Sequence, residues 1–89
     1  AVGADHFQLR PSTLMALNRV AVDGLVSAPG RYRLGEMTIP GSPHQPPSPT
    51  EVPLLVEEMC DYVNENWGQR SAVHLAAYVM WRLNWIHPF

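Results

Sequence analysis

The stretch from Val73 to Phe89, VHLAAYVMWRLNWIHPF, constrains the fold more than any other part of this sequence. On a helical projection its apolar side chains form an aromatic stripe and an aliphatic stripe. The first comprises His74, Tyr78, Trp81 and Trp85, and the second comprises Leu75, Val79, Leu83 and Ile86. A helix that is apolar on nearly every side must be buried on most sides. We therefore predict a buried helix over residues 71–86, capped by Ser71, around which the other segments pack.

Length, charge and cysteine content limit the function classes. The chain has 89 residues, which make at most one domain with a small core. Its formal net charge is −2, and its six basic residues are scattered arginines, so no basic stripe is available to bind nucleic acid. Cys60 is the only cysteine, which excludes an intrachain disulfide and favours a reducing compartment.

The sequence predicts a protein of the cytoplasm. It opens without a signal peptide, and its apolar C-terminal run, interrupted by Arg82 and Asn84, is too short and too polar to span a membrane. A secreted effector that acts in a host cytosol is the alternative. Because residue 1 is alanine, we expect a chain that is processed or cut from a longer one.

The first part of the chain is predicted to hold a loose segment, a helix and a hairpin. Residues 1–11 have no regular period. Residues 12–27 are predicted to form an amphipathic helix that Ser12 caps and Ala28-Pro29-Gly30 stops. Its apolar residues at helical spacing are Leu14, Leu17, Ala21 and Leu25. Residues 31–39, RYRLGEMTI, favour extended backbone with Gly35-Glu36 as a two-residue turn, which predicts a β-hairpin.

A proline-rich loop and a second helix follow. Five of residues 40–49 are proline, which predicts a stiff, extended surface segment. Residues 50–67 are predicted to form a helix that Thr50 caps, with Pro53 in its first turn and Gly68 at its end. Its apolar face comprises Val52, Leu55, Val56, Met59, Tyr62, Val63 and Trp67. The opposite face carries the acidic side chains, which we interpret as solvated.

The histidines and the cysteine do not predict a metal site. They lie on three segments without the spacings typical of metal ligands: His44, Cys60, His74 and His87. His74 is interpreted as a packed histidine with a backbone partner. His87 differs because Pro88 disfavours helical geometry before it, so the last helix must stop at or before His87. Its imidazole is then either a catalytic group or a cation that stabilises the end of the helix dipole.

The order of these pieces resembles the Fic family (filamentation induced by cyclic AMP). The resemblance covers residues 12–89 and rests on PGRYR, IPGSPHQPP, the VP-bearing helix and the helix that ends in WIHPF. It implies a mainly α fold with a helical core of about three helices and a short β-hairpin flap. This core is incomplete at its C-terminus, because the family loop reads HPFx(D/E)GN(G/K)R. Most members transfer AMP from ATP to a hydroxyl of a target protein.

The resemblance assigns His87 as the general base and Pro88 and Phe89 as the anchor of the catalytic loop. The family's magnesium ligand, its Gly-Asn-Gly anion nest and its phosphate-binding arginine come after this point in the motif. ATP and Mg²⁺ are therefore expected for the complete domain. On the 89 residues alone we expect neither bound cofactor nor AMP transfer.

The resemblance assigns target docking to the flap, whose edge pairs with an extended stretch of the target protein. The docking residues are Leu34, Met37, Thr38 and Ile39 of the hairpin, and Gly41, Ser42 and His44 of the GSxH segment. The family also has an inhibitory helix that contains glutamate. Residues 1–30 have no glutamate, so no such helix is expected there, and a separate antitoxin-like protein is a candidate partner.

Three functions stay open at this point. The first is a fragment of a Fic-type protein adenylyltransferase that modifies a Ser, Thr or Tyr hydroxyl. The second is a non-catalytic module that binds a protein through the flap and exposed helices. The third is a small helical interaction domain whose motifs match by chance. We also expect self-association, because two other helices are too few to cover the last one.

Overall fold

The computed structural model describes residues 8–26 and 28–89, which hold three helices: α1 (Pro11–Ala21), α2 (Val52–Asn66) and α3 (Ala72–Ile86). No strand occurs in these residues. α1 packs on α2, and α2 packs on α3. None of these helices combines the length and apolar content that a membrane crossing requires. The predicted mainly α fold is confirmed, and most of the segment predicted to be loose lies outside the described residues.

The core is built on one face of α2. It comprises Val52, Val56, Met59 and Cys60, together with Ile86 at the end of α3. Val52, Val56 and Met59 belong to the apolar face predicted for this helix. Cys60 was not placed on that face, and Trp67, which was, is 39% exposed. Because α1 and α3 both pack on α2, the central element is α2. The prediction that the other segments pack around the last helix is therefore wrong.

α3 is exposed where the sequence predicted burial. Only Leu75 and Ile86 are buried, whereas Val73, Met80 and Trp81 are 79%, 65% and 57% exposed. The reason is that α3 packs on α2, whereas α1 faces the C-terminal part of α3 across an open cleft. The predicted cap of α3 is confirmed, because the Ser71 hydroxyl accepts a hydrogen bond from the backbone N–H of residue 74 at 3.0 Å.

α1 differs from its prediction at both ends. It begins at Pro11, whose ring suits the first turn, and Ser12 therefore does not cap it. It ends at Ala21 rather than at residue 27, which lies outside the described residues. Leu25 is 79% exposed, so no burial offsets the low helix propensity of the residues around Gly24.

α2 differs from its prediction at its start. The capping position is Glu51, without a side-chain cap, and the predicted cap by Thr50 is wrong. The Thr50 hydroxyl instead pairs with the Ser48 hydroxyl at 3.0 Å. Pro53 lies in the first turn as predicted, where its missing N–H leaves no helical bond unmade. Gly68 follows the end of α2 with a φ of 84°.

Residues 31–39 do not form the predicted β-hairpin. A two-residue turn with glycine first requires a positive φ at that glycine, and Gly35 is not among the glycines with positive φ. The Arg33 N–H donates to the Pro88 carbonyl at 2.9 Å, and Leu34 is 94% exposed. An isolated pair of strands is barely stable. In the structure the segment is instead held to the C-terminal residues by the hydrogen bonds of Arg33.

The proline-rich loop has no helix or strand, as predicted, but it is not entirely on the surface. Pro46 and Pro47 are buried. Near its start, the Ser42 N–H donates to the Ile39 carbonyl at 3.1 Å, and Gly41 supports this turn with a φ of 77°. The loop therefore runs inward from an exposed turn, towards the end of α3.

Candidate functional site

α3 ends at Ile86, and His87 closes it in a left-handed conformation with a φ of 52° and a ψ of 61°. This agrees with the prediction that Pro88 stops the helix. His87 is the one non-glycine residue with a positive φ in residues 8–26 and 28–89. That conformation costs a residue with a side chain roughly 1–2 kcal/mol. It persists where the surroundings hold it in place.

The carbonyl groups of residues 83–88 all accept hydrogen bonds, although the last carbonyls of a helix lack partners within it. His87 donates to the first two of these carbonyls, through its backbone N–H at 2.8 Å and its Nδ1 at 3.2 Å. His44 donates to the third, and Arg33 to the last three. The end of α3 is therefore completed by His87 itself and by Arg33 and His44 from the loop that precedes α2.

Arg33 joins three segments of the chain. Its guanidinium donates to four carbonyl groups, those of Gly35, Pro47, Ile86 and His87. Its backbone N–H donates to a fifth, that of Pro88. A positive charge is favourable here, because the C-terminal end of a helix carries a partial negative charge. The guanidinium suits the task because it presents five N–H groups in a fixed plane.

The ring of His87 has a defined tautomer when neutral. Its Nδ1 lies 3.2 Å from the carbonyl oxygen of Asn84, and a carbonyl can only accept, so Nδ1 carries the proton. In the neutral imidazole the lone pair then lies on Nε2. His87 is half-buried. The arrangement leaves a basic nitrogen at the end of α3, which is what a general base requires.

His44 reaches the same end of α3 from the loop. Its Nε2 donates to the Trp85 carbonyl at 2.8 Å, and the two rings lie 5.2 Å apart between centroids. The Ser42 hydroxyl accepts from the His44 N–H at 3.2 Å. These contacts fix the predicted GSxH segment against the last turn of α3.

A cleft of about 320 Å³ opens between this segment and α3. Its lining includes three of the predicted docking residues, Ile39, Ser42 and His44, together with His87. The aromatic side chains of Trp81 and Trp85 supply its other wall. The structure thus brings part of the predicted docking segment to the predicted base.

The remaining predicted docking residues do not line this cleft. Leu34 instead lines a larger cleft of about 630 Å³ with Tyr32 and Phe89. The Met37 carbonyl accepts a hydrogen bond from the Gln45 side chain at 2.8 Å. Thr38 and Gly41 are exposed. None of these residues lies in a strand, so the predicted edge for pairing with a target protein does not form.

Pro88 and Phe89 are the predicted loop anchor. Pro88 is buried, and the ring of Phe89 packs on that of Tyr32 with 5.7 Å between centroids. Burial raises the pKa of Tyr32 above its ordinary value, with smaller contributions from Cys60 and Glu57. The Tyr32 hydroxyl therefore stays protonated near neutral pH, and the ring serves as a packing surface for Phe89.

The described residues contain no group of three His, Cys, Asp or Glu side chains that could hold a metal ion. Cys60 is buried in the core, and burial raises the pKa of its thiol. His74 is exposed, and its Nε2 pairs with the Tyr62 hydroxyl at 2.8 Å rather than with the predicted backbone group. The described side chains therefore do not fit a magnesium site.

The sequence patterns did not indicate a role for Arg33, which is one of six scattered arginines. A signal was available. A helix stopped by His87-Pro88 leaves several carbonyls without partners, and cationic side chains are their frequent donors. The chain has only six cationic side chains. Arg33, in the stretch predicted to be extended, was therefore a candidate donor to these carbonyls.

Comparison with known proteins agrees with the geometry. The model of the Fic/DOC family matches residues 8–89. A crystal structure of a Fic family protein from Desulfovibrio desulfuricans G20 has a TM-score of 0.77 and 22% identity to this chain. The match covers 98% of this chain and 27% of that one, and at this identity it shows the fold alone. Comparison with curated proteins gives no match. Because the family model spans nearly the whole sequence, the chain belongs to the Fic/DOC family.

Proposed function

We propose that this chain supplies the catalytic histidine and part of the target-docking surface of a Fic-type protein AMP-transferase. One observation carries the proposal. Nδ1 of His87 donates to the Asn84 carbonyl, which leaves Nε2 as the basic nitrogen of a residue that lines the same cleft as Ile39, Ser42 and His44. Membership of the Fic/DOC family supports this reaction class.

In the proposed reaction, Nε2 of His87 takes the proton of a Ser, Thr or Tyr hydroxyl of the target protein. The hydroxyl oxygen then bonds to the α-phosphorus of ATP, and the bond from that phosphorus to the pyrophosphate oxygen breaks. Pyrophosphate leaves, and AMP stays on the target. The Asn84 carbonyl supports the protonated ring, because it accepts the Nδ1–H bond in both charge states.

Phosphate binding in this proposal belongs to the acidic residue and the GN(G/K)R sequence that follow HPF in the family motif. These groups position ATP and neutralise its charge, which accounts for most of the catalysis in such transfers. We therefore expect the 89 residues alone to transfer no label from ATP to any acceptor protein. Reproducible labelling by the purified 89-residue chain would contradict this assignment of roles.

The test of the base uses a longer protein in which the rest of the family motif follows Phe89. His87→Ala should lower the single-turnover rate of AMP transfer by on the order of 10²- to 10⁴-fold. The affinity for ATP should change little, because other residues bind the phosphates. His74→Ala is the matched control, since this exposed histidine lies on the same helix and does not line the cleft.

The alternative reading of His87 is a helix cap, and the same variants distinguish it. If the ring only stabilises the helix end, His87→Ala should cost about 0.3 to 1 kcal/mol of stability and leave the transfer rate intact. Thermal melting and labelling of the two variants give separate answers. An alanine variant that melts slightly lower but transfers AMP at the parental rate would remove the catalytic assignment.

A second candidate function is a protein-binding module without catalysis, which the exposed side of α3 favours. Met80 and Trp81 are 65% and 57% exposed, and Trp85 is 38% exposed. Side chains of this kind are enriched in the centres of protein interfaces. Light scattering over a concentration series should detect self-association that Trp81→Glu abolishes. A chain that stays monomeric at all concentrations would count against this candidate function.

A further inference from the structure

We propose that Arg33 is a positioning residue that sets where the ring of His87 lies. The inference rests on the proposed function, because it assumes that His87 is the base. Arg33 is tied to three consecutive peptide groups around His87: the carbonyls of Ile86, His87 and Pro88 all accept from it. A residue whose neighbouring peptide planes are both held has a fixed Cα–Cβ direction.

The conformation of His87 shows why such a hold is needed. Its φ of 52° lies in the left-handed region, which a residue with a side chain leaves when nothing constrains it. A residue before proline is moreover biased towards extended backbone. Relaxation would swing the imidazole to another direction and break the contact between Nδ1 and the Asn84 carbonyl. The hydrogen bonds from Arg33 oppose that relaxation.

The same guanidinium links the base to the docking segment. It also donates to the carbonyls of Gly35 and Pro47. In the sequence, Gly35 precedes and Pro47 follows residues 39–44, which include the cleft residues. One planar guanidinium, held by four carbonyl groups, therefore sets the position of His87 relative to the segment that would carry the target hydroxyl. Lysine cannot make the same set of hydrogen bonds, because its ammonium group lacks the planar arrangement of N–H donors in a guanidinium.

The test uses the longer protein in which the family motif continues after Phe89. Arg33→Met should lower kcat for AMP transfer by about 10- to 100-fold, because a displacement of about 1 Å at the reacting atoms is that costly. The KM for ATP should stay within about twofold, since Arg33 touches no residue assigned to phosphate. Arg33→Lys should fall between the parent and Arg33→Met.

Arg31→Met is the matched control. Arg31 is an exposed arginine on the same segment, and it makes no hydrogen bond or ion pair among the residues that the structure describes. Its kcat should equal that of the parent within about twofold, as expected for an exposed side chain without partners. All rates are measured well below the melting temperature of each variant, so that loss of folded protein does not count as loss of catalysis.

Nitrogen NMR of the His87 ring gives a readout that does not depend on activity. The parent and Arg31→Met should show one neutral tautomer with the proton on Nδ1, and Arg33→Met should show a mixture of tautomers. His87→Gln assigns the signal. If Arg33→Met does not fold, Arg33→Lys decides the matter, with a lower kcat and a mixed tautomer as the expected result.

The outcomes separate the two proposals. If His87→Gln leaves AMP transfer intact, the proposed function fails. If His87→Gln abolishes transfer while Arg33→Lys and Arg33→Met keep the parental kcat and the single tautomer, the role of Arg33 is overturned and the function stands. A lower melting temperature without a change in kcat or tautomer also overturns it, because Arg33 would then contribute stability only.

Discussion

α2 and α3 have the same length, 15 residues, but they contribute to the molecule in different ways. α3 is the more apolar of the two in sequence, yet it buries only Leu75 and Ile86. α2 carries acidic residues on one face, and it supplies most of the core. The difference shows that the burial of a helix depends on the elements that pack against it, because an apolar face without a packing partner stays exposed to solvent.

The two helices also differ in what fixes them. α2 is fixed by apolar side chains that leave water, a contribution of about 1.5–3 kcal/mol for each large side chain. The end of α3 is fixed by hydrogen bonds from Arg33 and His44 to its free carbonyls. We infer that α2 determines stability and that the end of α3 determines the geometry of the site.

The largest expected effect compares the same substitution in the two helices. Met59 of α2 is 0% exposed and Met80 of α3 is 65% exposed. Met59→Ala should cost about 2–5 kcal/mol of unfolding free energy, because it leaves a cavity in the core. Met80→Ala should stay within about 0.5 kcal/mol of the parent. Urea unfolding of the two variants measures the difference.

The rate at which the buried Cys60 thiol is alkylated gives a second way to compare Met59→Ala with Met80→Ala. Cys60 is 2% exposed, so a reagent reaches its thiol when the core opens. The rate should rise strongly in Met59→Ala and little in Met80→Ala. Equal losses of stability in the two variants would mean that α3 is covered in solution, for instance by a second copy of the chain.

The next effect compares two serines at helix starts. Ser71 caps α3 through its hydroxyl, whereas Ser12 lies inside α1 and makes no cap. Ser71→Ala should therefore cost about 1 kcal/mol, and Ser12→Ala should cost nothing or stabilise slightly, since alanine favours helix. Thermal melts of both variants test the pair. A larger loss of stability in Ser12→Ala than in Ser71→Ala would support the N-cap that the sequence predicted at Ser12.

An effect of similar size should test the backbone conformation of His87. His87→Gly should be more stable than His87→Ala by about 1 kcal/mol, because glycine adopts a positive φ without the steric cost. Gly68→Ala provides the reverse control, since Gly68 has a φ of 84° and open space around a Cβ at that position. Denaturant unfolding should rank the variants accordingly. Equal stabilities of the two His87 variants would mean that residue 87 is not left-handed in solution.

The smallest expected effect is a loss of stability at alkaline pH. Burial raises the pKa of Cys60, Tyr32 and Tyr78 in the folded chain. A raised folded pKa favours the protonated form, so this stability is fully present below the ordinary thiol value of 9.0. It is lost as the pH rises through the raised folded values. Unfolding midpoints measured at about pH 7 and about pH 10 test this. The double variant Cys60→Ala, Tyr32→Phe should show a weaker dependence of the midpoint on pH.

Much of the fold follows from patterns within a few residues. The apolar spacing of α2, the cap at Ser71 and the stop at His87-Pro88 each act over one or two helical turns, and all appear in the structure. The resemblance to the Fic family rests on similar short motifs. Local signals were weakest at α1, where Pro11 displaced the expected cap and the exposed Leu25 left the helix short.

The sequence by itself therefore determined the helices, the face of α2 that is buried, and the residue at which α3 ends, because propensity, periodicity and proline act on neighbouring residues. Only the tertiary structure decided that residues 31–39 do not pair with each other, that α3 stays exposed, and that Arg33 and His44 complete its end. Those contacts join residues 54 and 41 positions apart. They depend on the path of the proline-rich loop, since free carbonyls at a helix end accept whichever donor the folded chain brings near.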